Sequence, residues 1–285
     1  MILITWNVQW CRGCDGRVDP ARIVAVARSM ADFDVLCLQE VADGFPGLPG
    51  SAGEDQFAAL SGLLPGYAPV AGWAVDALGA IGKRRRFGNL ILSRLPVLAA
   101  FRHLLPWPRD PQARGMQRVA VEAVIDTRSG PLRVTTTHLE YYSRVQRQAQ
   151  VERLRDLQVE ACGHSADVDE ASAAGDRDGP FAALARPASG ILTADFNFRA
   201  SDPEYARIQA PIGDGVPAYR DAWAIAHPGR AHEDTIGVYD RAQWPQPYAC
   251  DFVFVTEDVA PRVLDVQVNG ATDASDHQPV VVRLR

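Results

Sequence analysis

Gly190-Ile191-Leu192-Thr193-Ala194-Asp195-Phe196-Asn197 is the stretch on which the fold turns. A short apolar run of this kind reads as a buried strand, and it stops on an acid, with an amide two residues further on. The same arrangement recurs along the chain. Asn7 closes an apolar run from Ile2 to Val8, Glu40 follows Asp34 to Gln39, and His138 follows Thr135-Thr136-Thr137. Asp251 begins Phe252-Val253-Phe254-Val255, and Asp276-His277 precede a last apolar run at 278–284. In α/β folds the strand ends and the loops after them carry the chemistry. Each residue alone has an ordinary explanation. Asn7 fits a turn cap, Glu40 a solvated strand end, and His138 a rim histidine. Asp251 would satisfy backbone donors. Asp-x-Asn arises by chance about once in 400 positions at typical residue usage. The weight lies in the whole set, hard oxygen and imidazole groups at the tips of apolar runs.

Between these runs the pattern alternates. Asp19-Pro20 is a helix start, and apolar residues at 23, 24, 26, 27 and 30 give one helical face. A short helix is expected near 55–64. Strands follow near 67–76, 88–93, 97–104 and 117–126, the last with half-buried alternation. Leu132 to Thr137 is a further strand, and Ser143 with Gln146 opens a helix in capping-box form, expected to run to about Cys162. Strands resume at 190–194, near 251–256 and near 262–268, and Asp202-Pro203 caps one more helix. Residues 163–189 are small, acidic and Gly/Pro-containing, and read as a surface loop. Nearly every strand is followed by a helix or by a strand at hairpin distance. An α/β architecture with a mixed sheet pair covered by helices satisfies that order. One domain over 1–285 is expected.

Composition sets the bounds. The 285 residues are 47% hydrophobic and 22% charged, which excludes wholesale disorder. Lys+Arg number 29 against 35 Asp+Glu, a net charge of -6, which excludes coating nucleic acid through bulk charge. A cleft that holds a divalent cation would still bind phosphate locally. No window approaches a membrane span, and the apolar start lacks the basic region of a signal peptide. Five cysteines, with one C-x-x-C pair at Cys11 and Cys14, give no disulfide framework and no second half for a zinc site. A reducing, cytoplasmic setting is expected.

Thr5-Trp6-Asn7, Leu38-Gln39-Glu40-Val41, Gly88-Asn89, Thr137-His138-Leu139, Asp195-Phe196-Asn197, Asp251-Phe252 and Ser275-Asp276-His277 resemble, in order and spacing, the motifs of the endonuclease/exonuclease/phosphatase superfamily. These are the deoxyribonuclease-I-like metal-dependent phosphodiesterases. The resemblance runs from residue 5 to 280, with one departure: Ala194 stands where many members carry Gly. It implies a four-layer α/β sandwich, two packed mixed β-sheets flanked by helices. It also implies hydrolysis of a phosphate ester by in-line water attack, with Mg²⁺ or Mn²⁺ as cofactor. By the same resemblance Glu40 is the main metal ligand, with Asn7 and Asp276 beside it. Asp195 would orient and deprotonate the water, and Asn197 would donate to a phosphate oxygen. His138 and His277 would donate to non-bridging oxygens, and Asp251 would hold His277 oriented and protonated.

The substrate is less legible, because one catalytic kit serves many esters. Thr137-His138-Leu139-Glu140 with Ser143, Arg147 and Gln150 resembles the His-containing branch, which includes neutral sphingomyelinases and the tyrosyl-DNA phosphodiesterase type. DNA or RNA is the favoured partner. A lipid or inositol phosphate is the alternative, and a non-catalytic binding module of the same fold is a second. Lys83-Arg84-Arg85-Arg86 reads either as a phosphate-tracking run or as a solvated loop. Trp10, Trp73, Trp107 and Trp244 offer stacking surfaces or ordinary packing.

Overall fold

The computed structural model describes residues 1–79, 82–172, 184 and 186–285. Two six-stranded sheets pack face to face. In the first, β1 (Ile2–Asn7) lies between β2 (Val35–Asp43), parallel to it, and β12 (Val280–Leu284), antiparallel. β4 (Arg84–Ser93) and β3 (Ala68–Leu78) extend it on one side and β11 (Val263–Val268) on the other. The second sheet runs β5 (Val97–Leu104), β6 (Val119–Thr127), β7 (Gly130–His138), β8 (Gly190–Asp195), β10 (Asp251–Thr256) and β9 (Tyr219–Asp221). Each sheet has one parallel pair, β1/β2 and β7/β8. A parallel connection needs a crossover, and helices supply it. α1 (Pro20–Met30) bridges the first pair and α3 (Arg144–Ser172) the second.

Alternation along the strands builds three apolar layers. Leu3, Val35 and Cys37 meet Val121, Val134, Ile191 and Val253 between the sheets. The opposite faces carry Ile4, Trp6, Leu36 and Leu38, which pack on Ile23, Val24 and Ala27 of α1 and on α2 (Gln56–Leu63). On the second sheet Leu192, Ala194, Phe252 and Phe254 pack on Leu154 and Leu157 of α3 and Ile208 of α4 (Pro203–Gln209). A short α5 (Ala222–Ala226) sits against β10 and β11. Strands covered on both faces read as continuous apolar runs, as these do. Asp19 caps α1 by accepting from the Ala21 and Arg22 amides. The architecture is the expected four-layer sandwich. No helix among the described residues is long and apolar enough to cross a membrane.

Two expectations are corrected. α3 does not stop near Cys162 but continues to Ser172, through ten residues of the expected 163–189 loop. Those ten contain no proline, and one glycine is too little to end a helix already propagating. Residues 173–183 and 185 of that stretch lie outside the described residues. Arg186 is not a surface residue at all. It is buried and donates from Nε to Glu122 Oε1 at 2.8 Å. Glu122, with no exposure, needs that cation and the buried Arg133 beside it. The basic run also differs from a loop: Arg84 to Arg86 pair with Leu78 to Asp76 and open β4.

Candidate active site

Strand register assembles the site. His138 lies opposite Asp195 across the parallel β7/β8 pair, and Asp195 opposite Asp251 across β8/β10. The three therefore form a row on one rim of the second sheet. Asn7 ends β1 on the facing rim, opposite Gln39 of β2. Glu40 reaches the same rim only through a local distortion. Gln39 points between the sheets, so an undistorted strand would turn Glu40 to the other face. The β2/β4 register slips between Leu38 and Val41, and Glu40 adopts φ 60°. Among the described residues, the non-glycine positions with positive φ are Gln9, Trp10, Cys11, Glu40 and Asn197. Three follow Asn7 closely and two carry candidate site side chains. Backbone strain concentrated in this way marks a place where side-chain aim matters more than comfort.

Asp195 is the hub. Its Oδ2 accepts from Asn7 Nδ2 at 3.0 Å and lies 3.4 Å from His138 Nε2 and 3.6 Å from His277 Nε2. Its Oδ1 accepts the Asn197 amide at 3.0 Å. His277 Nδ1 sits 2.9 Å from Asp251 Oδ2, which also accepts from Thr235 Oγ1 at 2.6 Å. Burial opposes a charge on His277, but the Asp251 and Asp195 carboxylates outweigh it and hold its pKa well above the ordinary value. His138 goes the other way: burial, then the Arg118 guanidinium, push it down to about 3, and it is neutral. Asn197 Nδ2 donates to both Leu139 O and His138 Nε2, each at 2.9 Å. A carbonyl can only accept, so the amide orientation is fixed and the His138 proton sits on Nδ1. That buried Nδ1 lies 3.6 Å from Glu40 Oε1 and has no hydrogen-bond partner.

Glu40 is pushed up to about 7, first by burial and next by the Asp276 carboxylate. Asp276 Oδ2 accepts from Gln9 Nε2 at 2.8 Å and from the Trp244 indole at 3.2 Å. Crowded carboxylates of this kind suit a hard divalent cation, whose charge would relieve the repulsion. Asn7 Nδ2 faces Glu40 at 3.3 Å, and its Oδ1 already accepts the Gln9 amide, which leaves one lone pair. A second grouping, Asp195, Cys250 and His277, places ligand-type atoms within 4.8 Å of one another. Burial, then Asp251 and Asp195, push the Cys250 thiol far up. A metal bound there would have to displace that proton, which disfavours the grouping against the carboxylates around Glu40.

All eight residues singled out from sequence therefore meet in one place: Asn7, Glu40, His138, Asp195, Asn197, Asp251, Asp276 and His277. The basic run does not join them. Arg84 and Arg86 are ion-paired with Asp76, and Arg86 also stacks 4.3 Å over Trp73. Asn89 is structural: its Nδ2 donates to Val119 O and ties one sheet to the other. Of the four tryptophans weighed for stacking, Trp244 bonds a site residue. Sequence reading missed Thr235, Gln9 and Arg118. Arg118 is buried, donates to Glu140 at 3.3 Å, and leaves Nη1 unpartnered. Their partners lie far off in sequence, so no local motif flags them.

The sequence profile of the Endonuclease/Exonuclease/phosphatase family matches residues 4–277. No curated protein matches in sequence. Among solved structures, an endonuclease/exonuclease/phosphatase from Beutenbergia cavernae is 23% identical with a TM-score of 0.65, over 100% of this chain and 71% of that one. A mannosyl-6-phosphatase from Bacteroides thetaiotaomicron is 17% identical with a TM-score of 0.64, over 100% and 99%. TDP2 of D. rerio, solved with a single-strand DNA product, is 19% identical with a TM-score of 0.62, over 100% and 98%. At these identities the structural likeness speaks for the fold.

Proposed function

The chain belongs to the endonuclease/exonuclease/phosphatase family, and from that premise we propose that it is a divalent-metal-dependent phosphodiesterase acting on a nucleic acid. The observation that carries the reading is the row Asp251–His277–Asp195. His277 holds its charge against Asp251, while its Nε2 stands 3.6 Å from Asp195, beyond hydrogen-bond length. Its second proton is thus free for a phosphate oxygen.

Glu40, Asp276 and the remaining lone pair of Asn7 are the groups that would hold Mg²⁺ or Mn²⁺. Bound there, the cation would act as a Lewis acid on the phosphate and offset its charge. Asp195 would orient an attacking water and take its proton; its Oδ2 already faces Asn7 and both imidazoles. His277 would donate from Nε2 to a non-bridging oxygen, where charge builds in the transition state. His138 would donate from its unpartnered Nδ1. Both amide hydrogens of Asn197 are engaged, so its service to the phosphate is indirect, through the tautomer of His138. No nucleophilic side chain is needed.

Nucleic acid as the substrate is supported by the likeness to TDP2, whose structure holds a single-strand DNA product. The test is a panel of single- and double-stranded DNA, RNA, a 5′-tyrosyl oligonucleotide, sphingomyelin, inositol phosphates and mannose 6-phosphate, with and without Mn²⁺. The expected result is oligonucleotide cleavage that EDTA abolishes. Glu40→Gln should weaken Mn²⁺ binding in calorimetry by at least about tenfold, in parallel with turnover. Full activity in excess EDTA would refute the metal, and turnover of sugar or lipid esters alone would refute the substrate.

A further inference from the structure

The end of the sandwich opposite the candidate site carries a cavity of about 370 Å³, at the starts of β1 and β7. β7 runs nine residues from this end to His138, so roughly 25 Å separates the cavity from the acids and imidazoles. Three arginines, drawn from both sheets, line it: Arg128 in the β6–β7 turn, Arg262 in the turn entering β11, and Arg285 just after β12. The Arg285 amide donates to Arg262 O at 2.8 Å, which fixes those two backbones side by side. The Arg128 turn is pinned as well. Thr127 Oγ1 donates to Gly130 O at 2.6 Å and accepts the Ser129 amide at 3.2 Å.

The charge of this cavity is unbalanced, although the chain as a whole is acidic. Arg22, Arg94, Arg153 and Arg207 each meet a carboxylate at 2.9 Å or less. Among the described residues Arg128, Arg262 and Arg285 meet none, and Arg262 Nε is buried without a hydrogen-bond partner. Asp34 is the acid in the lining, and both its oxygens are engaged. Its Oδ1 accepts from Arg94 Nε at 2.9 Å and its Oδ2 from the Ile2 amide at 2.7 Å. Guanidiniums gathered in one concavity repel, and an anion relieves that repulsion while giving a buried orphan donor its acceptor. The guanidinium fork matches two oxygens of one phosphate, and the Ser129 hydroxyl is a further donor in the same wall. The volume lies within the roughly 300–1,000 Å³ range of small-molecule sites, with room for an organic body beside the phosphate.

We propose that this cavity is a second, separate site that binds a phosphate monoester, gripped by Arg128 and Arg262 at the end of the fold remote from the candidate active site. The assignment does not depend on the phosphodiesterase reading. A soluble ester and a phospholipid headgroup offer the same chemistry, so two probes are needed. The first is adenosine 5′-monophosphate, titrated into the full chain in EDTA and followed by the backbone amide resonances. The Ser129 and Val263 amides should shift together with one midpoint. Arg262→Gln and Arg128→Gln should each weaken that midpoint by about tenfold or more, the usual loss when a charged hydrogen bond goes. Arg262→Lys should weaken it less, since the ammonium keeps the charge and loses the fork. Melting temperatures serve as the folding control, and Arg128, in an exposed turn, is the variant least able to disturb the fold. The second probe is a phosphatidylcholine vesicle containing phosphatidic acid, scored by co-sedimentation. Binding to it that is lost in both glutamine variants assigns the site to a headgroup, and nucleotide binding alone assigns it to a soluble ester. Shifts confined to the amides around Asp195 and His277 overturn the proposal if the vesicles also fail to bind. Binding of either probe that is unchanged in both glutamine variants overturns it too. If no ester is hydrolysed in the panel above, the enzymatic reading fails on its own, and these titrations still decide the second site.

Discussion

Asp251 separates a catalytic pairing from a merely structural one. Its Oδ2 takes both His277 Nδ1 and Thr235 Oγ1, and its Oδ1 is buried without a partner. Asp251→Asn keeps the shape and removes the charge that holds His277 protonated. Fold and metal affinity should survive, and kcat should fall by about 10²-fold or more, less than the roughly 10⁴ seen when a protease triad loses its carboxylate. The sign for pH follows from the raised His277: without Asp251 the ring deprotonates at lower pH, so the alkaline limb of the rate profile should move down. Rate profiles and melting curves of both proteins check this; a lowered melting temperature with kcat unchanged would return Asp251 to structure alone. The eight site residues were legible because each stands at or just beside the end of an apolar run. Thr235 was not, since Asp234-Thr235 sits in an aperiodic stretch and its partner, Asp251, is sixteen residues on. Asn197 was found, but its contacts were not, because those depend on which acceptors its two amide hydrogens reach.

Elements were legible where they are long and periodic. The two central parallel pairs and α1 stand where their patterns put them, whereas β9 and α5, of three and five residues, are too short to show a period. The end of α3 was not legible because composition alone marks 163–189 as loop, and Arg186 within that stretch is held by a tertiary contact. That contact is Glu122 of β6 with Arg133 of β7 and Arg186. Burial alone would raise the Glu122 pKa, but His103, Arg133 and Arg186 hold it down near 2. A carboxylate depressed in the fold stabilises fully above its unfolded value near 4.5, and that stability drains away as pH falls toward 2. The change corresponds to about 3 kcal/mol. Urea unfolding between pH 6 and 2 should show this loss in the wild type and a flatter curve for Glu122→Gln. The variant should also start lower, by about 3–5 kcal/mol, since two buried guanidiniums lose their counter-charge. Parallel curves would mean that Glu122 is not the titrating group.

Across the whole molecule the space between the sheets is graded, apolar at depth and ionic at the rim. A polar course lies between the two: Gln39 Nε2 donates to Thr5 Oγ1 at 3.0 Å in one sheet and to Thr136 Oγ1 at 2.8 Å in the other, and Thr193 joins Thr136. Gln39→Leu should cost about 1–3 kcal/mol by orphaning the Thr5 hydroxyl. Calorimetric melting should drop by several degrees, and an unchanged melting temperature would mean that the course contributes nothing to holding the sheets together. The pairing of β1 with both β2 and β12 has an outcome in time rather than in space. β1 can meet β2 as soon as the crossover through α1 exists, but its other edge stays open until β12 is made. Asp276 and His277 arrive with that closing strand. In chain order Asn7, Glu40 and Asp195 therefore precede the two residues that complete the candidate site. The pairing of β1 with β12 thus joins the two parts of the candidate site in the same step that joins two edges of the sheet.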